Sequence, residues 1–327
     1  MRSFALWYST KTKDSIKSDE ITVHINLWDK KYRSENKYCF DFGFLLEDIR
    51  GIENIYLYIP FNINKKQIKD LGIVISNNKL VNAIFNENFT TTDGEPKRLI
   101  VNPSVDKSGF VIYNLDIENQ IELRKCKRDC EKPGTILIIN VFDIKPKNIF
   151  KYYFRIRIET NHNDVELIND EIKGISIFSN QFTNTEVIDF RLNDIRSCSE
   201  ELREQFAKGN KFKILAIHYL ILRNADDIII HYGEPISSRM LENYLWKDYI
   251  DGTNKNIIAY HIKSKAKKQK DDNGKIITKY IEDFSDLTRF QYQKENWIVL
   301  TKYIVGIILF GAISGVLGNL ICKFLGL

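Results

Sequence analysis

Two sets of cations in this chain stand where they could grip a phosphate. From Tyr152 to Glu159, Phe154, Ile156 and Ile158 alternate with Tyr153, Arg155 and Arg157, so an extended strand presents a phenol and two guanidiniums on one face. Arginine offers a planar fork for bidentate phosphate contact, and the neighbouring ring offers a stacking surface. The same pattern also fits a ladder paired to carboxylates across the strand, and spacing leaves both readings open. The second set lies in a hairpin. Asn256 to Lys270, Asp271-Asp272-Asn273-Gly274 and Lys275 to Asp283 read as strand, Asn-Gly turn and strand. Lys263, Lys265 and Lys267 share one face, Lys268 and Lys270 the other, and Lys275 and Lys279 return on the partner strand. Such a ribbon serves as a solvated tip that resists edge pairing, as a contact for anionic headgroups, or as a binder of an anionic ligand such as a nucleotide.

A third constellation is apolar. Tyr303 to Cys322 carries no charge, and at about 1.5 Å per residue it is long enough as a helix to cross the hydrocarbon core of a bilayer. Lys302 and Lys323 bracket it, with Trp297, Tyr303 and Phe324 at interfacial positions. Within it Gly311, Gly315, Gly318 and Cys322 follow spacings of four, three and four, and Leu309, Ile313, Val316 and Leu320 repeat those spacings on another side. Small residues along one seam let helices approach closely in lipid, and Asn319 is the strongly polar side chain deep in the span. A single helix cannot enclose a water path, so a pore would need about four or more copies. The first ten residues hold an apolar run too short for a secretory signal, and Arg289, Lys294 and Lys302 precede the span with only Lys323 after it. The expected topology is a single-pass tail anchor in the inner membrane with the N-terminal body cytoplasmic.

Catalytic signatures are missing from the sequence: it contains no G-x-S-x-G, G-x-x-x-x-G-K-[ST], H-E-x-x-H or G-x-G-x-x-G. His24, His162, His218, His231 and His261 are far apart in sequence, and those in strand patterns read as half-buried side chains. Asp164 with Glu171-Ile172-Lys173 has the outline of a nuclease carboxylate pair plus lysine, a spacing that arises by chance in a chain this charged. The five cysteines, Cys39, Cys126, Cys130, Cys198 and Cys322, are scattered and odd in number, as reduced thiols are. Cys126 and Cys130 lack a second pair to complete a zinc site. Neither a metal nor a cofactor is expected, and the chain reads as a non-enzyme.

The elements that must carry these groups are mostly strands. The 327 residues have a formal net charge of +5, many β-branched and aromatic side chains, and period-two patterns at Ile21 to Trp28, Tyr38 to Leu46, Ile55 to Phe61, Ile136 to Phe142, Tyr152 to Ile158 and Ile175 to Phe178. The fold expected is mainly β: an antiparallel β-sandwich over residues 1–195, a smaller α/β lobe with the basic hairpin over 196–295, and the membrane anchor over 296–327. In the lobe, Ser199 caps a short helix stopped by Gly209, strands run from Lys213 to Leu222 and Asp226 to Tyr232, and Ser238 to Tyr249 places Met240, Tyr244 and Trp246 on a helical face.

A β-rich, moderately basic body joined to one glycine-seamed terminal span resembles the membrane effectors of prokaryotic antiviral systems, and is similar in plan to the Hailong type. The likeness rests on Gly311, Gly315, Gly318, the ribbon from Lys263 to Lys279 and the missing catalytic motifs. It implies a ligand-controlled homo-oligomer that permeabilises the inner membrane in antiviral defence, sensing a nucleotide or oligonucleotide supplied by a partner nucleotidyltransferase. It carries over no site residue. Two other readings stand beside it: a tail-anchored scaffold that recruits a protein partner, and a membrane-attached hydrolase.

Overall fold

The computed structural model describes residues 3–10, 16–32, 35–94, 98–103, 108–128, 133–166, 168–172, 183–231, 233, 235–250, 256–270, 274–293 and 297–326. The strands are Ser3–Thr10 (β1), Glu20–Tyr32 (β2), Glu35–Leu46 (β3), Ile52–Ile59 (β4), Ile68–Asp70 (β5), Phe89–Gly94 (β6), Arg98–Pro103 (β7), Phe110–Tyr113 (β8), Ile121–Cys126 (β9), Gly134–Asn140 (β10), Tyr152–Asn161 (β11), Asn169–Ile172 (β12), Thr183–Leu192 (β13), Lys213–Asn224 (β14), Ile228–His231 (β15), Ile236–Met240 (β16), Ile257–Lys265 (β17), Lys267–Lys270 (β18), Ile276–Lys279 (β19) and Phe284–Gln293 (β20). The helices are Gly72–Ile75 (α1), Asn78–Phe85 (α2), Ile117–Gln120 (α3), Glu200–Lys208 (α4), Asn243–Trp246 (α5) and Trp297–Leu325 (α6). The chain divides into two units. The first holds residues 1–170, 188–225 and 231–288; the second holds 171–187, 226–230 and 289–327.

The first unit is a β-sandwich. Its ten-stranded sheet runs β16-β17-β14-β2-β3-β11-β8-β7-β6, with β5 on β11, and its facing sheet includes β13-β1-β4-β10-β9. Aromatic rings fill the space between them: Phe4 lies 5.3 Å from Phe42 and 5.1 Å from Phe190 between ring centroids, and Phe190 lies 4.8 Å from Tyr219. Helices cover the outer faces. On one side Leu202 and Phe206 of α4 bury against Trp7, Tyr58 and Ile136; each such apolar side chain contributes about 1.5–3 kcal/mol. On the other, Leu80 and Val81 of α2 and Trp246 of α5 pack over Leu45, Tyr153 and Ala259. This double covering explains β1, whose run from Phe4 to Tyr8 is buried without alternation.

Among the described residues β1 pairs parallel with β13, β2 with β14 and β8 with β11, so the sandwich is mixed. The strands β14 and β17 enter the ten-stranded sheet beside β2, so segments 1–195 and 196–295 share one sheet. The helix expected from Ser238 to Tyr249 is corrected: residues up to Met240 form the edge strand β16, hydrogen-bonded to β17, and only one helical turn follows. Sheet hydrogen bonds along Ile236–Met240 outweigh the apolar spacing, and of the three side chains expected on a helical face only Trp246 is buried, with Met240 and Tyr244 exposed. The capped helix after Ser199 forms as expected: the Ser199 hydroxyl accepts from the Leu202 amide, and Gly209 is the C-cap. The expected strand at Ile175 to Phe178 lies outside the described residues.

In the second unit α6 is continuous from Trp297 to Leu325, and an 18-residue window within Leu300–Leu325 has a mean hydropathy of 2.3 with none of it buried. By length and composition this helix can cross a membrane.

Candidate anion-binding cavity

Strand register collects the chemistry. Across the ten-stranded sheet, Lys263 of β17 stands opposite His218 of β14, His218 opposite His24 of β2, His24 opposite Gly43 of β3, and Gly43 opposite Arg155 of β11. Five strands thus place a lysine, two imidazoles, a gap and a guanidinium in one row on one face. The alternate residues of β2, Val23, Ile25 and Leu27, fill the core on the opposite face. Gly43 is the gap because Tyr153 lies over it: a Cβ there would come 2.2 Å from the Tyr153 hydroxyl. That hydroxyl sits 3.1 Å from His24 Nδ1 and accepts a hydrogen bond from Arg155 Nη1 at 2.6 Å.

Above the row is a cavity of about 600 Å³, in the range that small-molecule sites occupy. The row itself contributes His24, Arg155, His218 and Lys263; Asn26, Arg239 and His261 add polar groups, and Phe85 to Glu87 close one side. These last residues are placed by α2, which is capped at its start by the Asn77 side chain and ended by Asn86 in the left-handed region at φ 52. The Phe85 ring packs against Tyr153, His24 and Phe110 at centroid distances of 5.1, 5.3 and 4.8 Å.

The charge of the cavity is lopsided. Arg155 is 1 % exposed, and its Nε and Nη1 donate to the hydroxyls of Tyr249 and Tyr153. Among the described residues no carboxylate forms an ion pair with it. The nearby acid, Asp41, is already taken: it accepts from Arg157 Nε at 2.7 Å and Nη2 at 3.0 Å, and from the Tyr249 hydroxyl at 2.7 Å. Two guanidiniums therefore share one carboxylate in a buried network, and Arg155 carries the surplus. Burial works against its charge, but the Tyr153, Tyr249 and Asp41 oxygens outweigh that and hold its pKa above the ordinary value.

The histidines respond in the other direction. Burial first, then His218, Arg155, His261 and Lys263, push His24 well below the usual imidazole range. Burial and the charges of Lys263, His261 and Lys265 bring His218 down to about 3, and burial with Lys263 and Arg239 lowers His261. At neutral pH these rings are uncharged, each able to donate one hydrogen bond and accept another; His261 Nε2 and His218 Nδ1 are 3.2 Å apart. Lys263 is itself lowered by partial burial and by Lys265. Glu87 also lines the cavity. The result is a concave, mostly cationic site whose fixed positive charge sits at its floor.

The expected site residues divide. Arg155 and Lys263, read as belonging to separate sets, line the same cavity. Tyr153 supports it from beneath by its hydroxyl, and Arg157 is engaged in the Asp41 pair and with the Tyr249 carbonyl. Lys265 shares the Lys263 face next to the row, while Lys267, Lys268 and Lys270 belong to the separate two-stranded sheet of β18 and β19. Gly311, Gly315, Gly318 and Asn319 lie on the exposed α6, where a side chain added at any of the three glycines would meet nothing within 4 Å. His24, His218, His261 and Arg239 were missed as a group. Their signal was the interruption of apolar alternation, as in Thr22, His24 and Asn26 between Val23, Ile25 and Leu27, but only strand order brings them together.

Other sequence candidates resolve separately. Among the described residues no group of three His, Cys, Asp or Glu could hold a metal ion. Cys126 and Cys198 are buried thiols, each pushed up to about 11 chiefly by desolvation, and Cys130 lies outside the described residues. In the second unit Glu171 accepts hydrogen bonds from Asn184 and Tyr292, and Lys173 lies outside the described residues. Comparison with protein-family models gives no match, and neither does comparison with curated proteins.

Proposed function

We propose that the chain is a membrane-anchored receptor in which an anionic small molecule, held in the cavity of the first unit, controls the state of the C-terminal helix. Arg155 carries this reading. A buried guanidinium held by two tyrosine hydroxyls, with no carboxylate of its own, leaves a positive charge at the cavity floor that an anion entering the cavity would pair. Arg155 would bind the anion at the floor, Lys263 and Arg239 would meet it near the mouth, and the neutral imidazoles would donate to its oxygens. Phe85 offers a ring surface to a base or another flat group. The cavity volume is enough for a nucleotide, which is the ligand class the architectural resemblance implies.

The helix is inserted in an inner membrane with the first unit on the cytoplasmic side, several copies assemble through Gly311, Gly315 and Gly318, and ligand occupancy governs whether the assembly leaks ions, as an antiviral effector would. The role is binding rather than catalysis. The test reconstitutes the full chain in dye-loaded liposomes and adds pyrophosphate, a cyclic mononucleotide or short oligonucleotides. One of these probes should change the leak, and Arg155→Met should remove the response. A leak that no probe alters, or that Arg155→Met leaves equally responsive, overturns the reading.

A further inference from the structure

The β18–β19 hairpin has a surface that the cavity does not use. It forms its own two-stranded sheet, and its flanks are pinned to β14: the Ala266 amide donates to the Leu215 carbonyl at 2.8 Å, and the Ile281 amide donates to the Ile214 carbonyl at 3.1 Å. The ribbon is therefore anchored at its base and carried beyond the large sheet. In its register Lys267 faces Lys279, Lys268 faces Thr278, Gln269 faces Ile277 and Lys270 faces Ile276. Lys267, Gln269, Ile277 and Lys279 lie on one face; Lys268, Lys270, Ile276 and Thr278 lie on the other. Each face thus carries lysines and one isoleucine, and Ile276 and Ile277 are 64 % and 46 % exposed.

Such a ribbon is poorly satisfied by water alone. Two strands by themselves are marginal, and like charges directly opposite each other, as at Lys267 and Lys279, oppose the pairing. Among the described residues Lys267, Lys268, Lys270 and Lys279 form no ion pair, and the stretch from Lys263 to Lys279 holds seven lysines against Asp271 and Asp272. The partner that fits must offer negative charge and an apolar layer together. Nucleic acid offers the charge without the apolar layer. An anionic bilayer offers both, and the chain already carries a helix able to cross one, with β20 between hairpin and helix along the chain. We infer that the β18–β19 hairpin rests on an anionic membrane surface, its lysines among headgroup phosphates and Ile276 and Ile277 at the acyl boundary. This inference does not depend on what the cavity binds.

The test measures amide hydrogen exchange of residues 267–279 in the full chain, in nanodiscs of phosphatidylcholine alone and of phosphatidylcholine with phosphatidylglycerol. Exchange should be several-fold slower in the anionic discs at low salt, and the protection should disappear at high salt and in the double variant Lys267→Glu, Lys279→Glu. Ile276→Ser with Ile277→Ser should reduce it while the lysines remain. Equal exchange in the two lipids overturns the inference, as does protection that appears only when a single-stranded RNA is added to neutral discs.

Discussion

Arg155 is the residue whose chemistry is least explained by folding. Arg157 belongs to a bidentate buried pair, and removing one member of such a pair costs about 3–5 kcal/mol, so Asp41→Asn should lower the melting temperature sharply or prevent folding. Arg155→Met removes a buried surplus charge of similar length and leaves that pair intact. It should lower the melting temperature less than Asp41→Asn does, while anion binding weakens by a factor of ten or more, since hydrogen bonds to charged groups contribute about 1.5–3 kcal/mol. A fall in stability comparable to Asp41→Asn would assign Arg155 to the core instead. Gly43→Ala is a second probe of the same place: with Tyr153 directly over the position, overpacking should cost about 1–3 kcal/mol and displace the hydroxyl that orients Arg155 and His24. The histidines give a pH signature. Each is lowered in the folded state, so below the ordinary imidazole pKa near 6.5 the unfolded chain binds protons that the folded chain refuses. Stability from this source is complete above about pH 6.5 and is lost as pH falls from there toward the His218 value of about 3, by up to about 1.4 kcal/mol per pH unit for each extra proton bound on unfolding. Thermal melts from pH 7 to 4.5 should show this slope, and His218→Gln should flatten it; a slope the variant leaves intact would place the titration elsewhere.

At the scale of elements, strands with clear alternation were legible, and of those buried without it Ile136 to Phe142 was read, as β10, and β1 was not. The segments Ile21 to Trp28, Tyr38 to Leu46 and Tyr152 to Ile158 announce β2, β3 and β11, because one face of each interrupts its apolar run with polar residues. The strand β1 went unread because helices cover both faces of the sandwich, which removes alternation from its central strands. The strand β16 was misread because its pairing with β17 is non-local, and no local pattern reports a partner. The same limit applies to the site: Arg155 and Lys263 were visible as cations but sit on different strands, and the histidines between them gain meaning only from the order β17-β14-β2-β3-β11. The span is the opposite case, written almost wholly in composition, and its glycines are open to a neighbouring helix. Gly315→Leu should therefore block close helix approach and reduce crosslinked oligomers in lipid, whereas Ile313→Leu should not. Equal crosslinking in the two variants would make α6 an anchor alone.

At the scale of the whole molecule, the first unit contributes a covered β-sandwich with a cationic cavity, and the second contributes a helix long enough to cross a membrane. In the proposed function one event joins them, the entry of an anion beside Arg155. The most direct measurement is binding of pyrophosphate, a cyclic mononucleotide and short oligonucleotides to the full chain in detergent or nanodiscs, by titration calorimetry at two salt concentrations. The prediction is that at least one polyphosphate binds, that its affinity falls as salt rises, and that Arg155→Met weakens it at least tenfold while Lys268→Ala, outside the cavity, does not. If none of these anions binds, or if Arg155→Met binds as tightly as the parent, the cavity is not an anion site and the control of the helix must lie elsewhere.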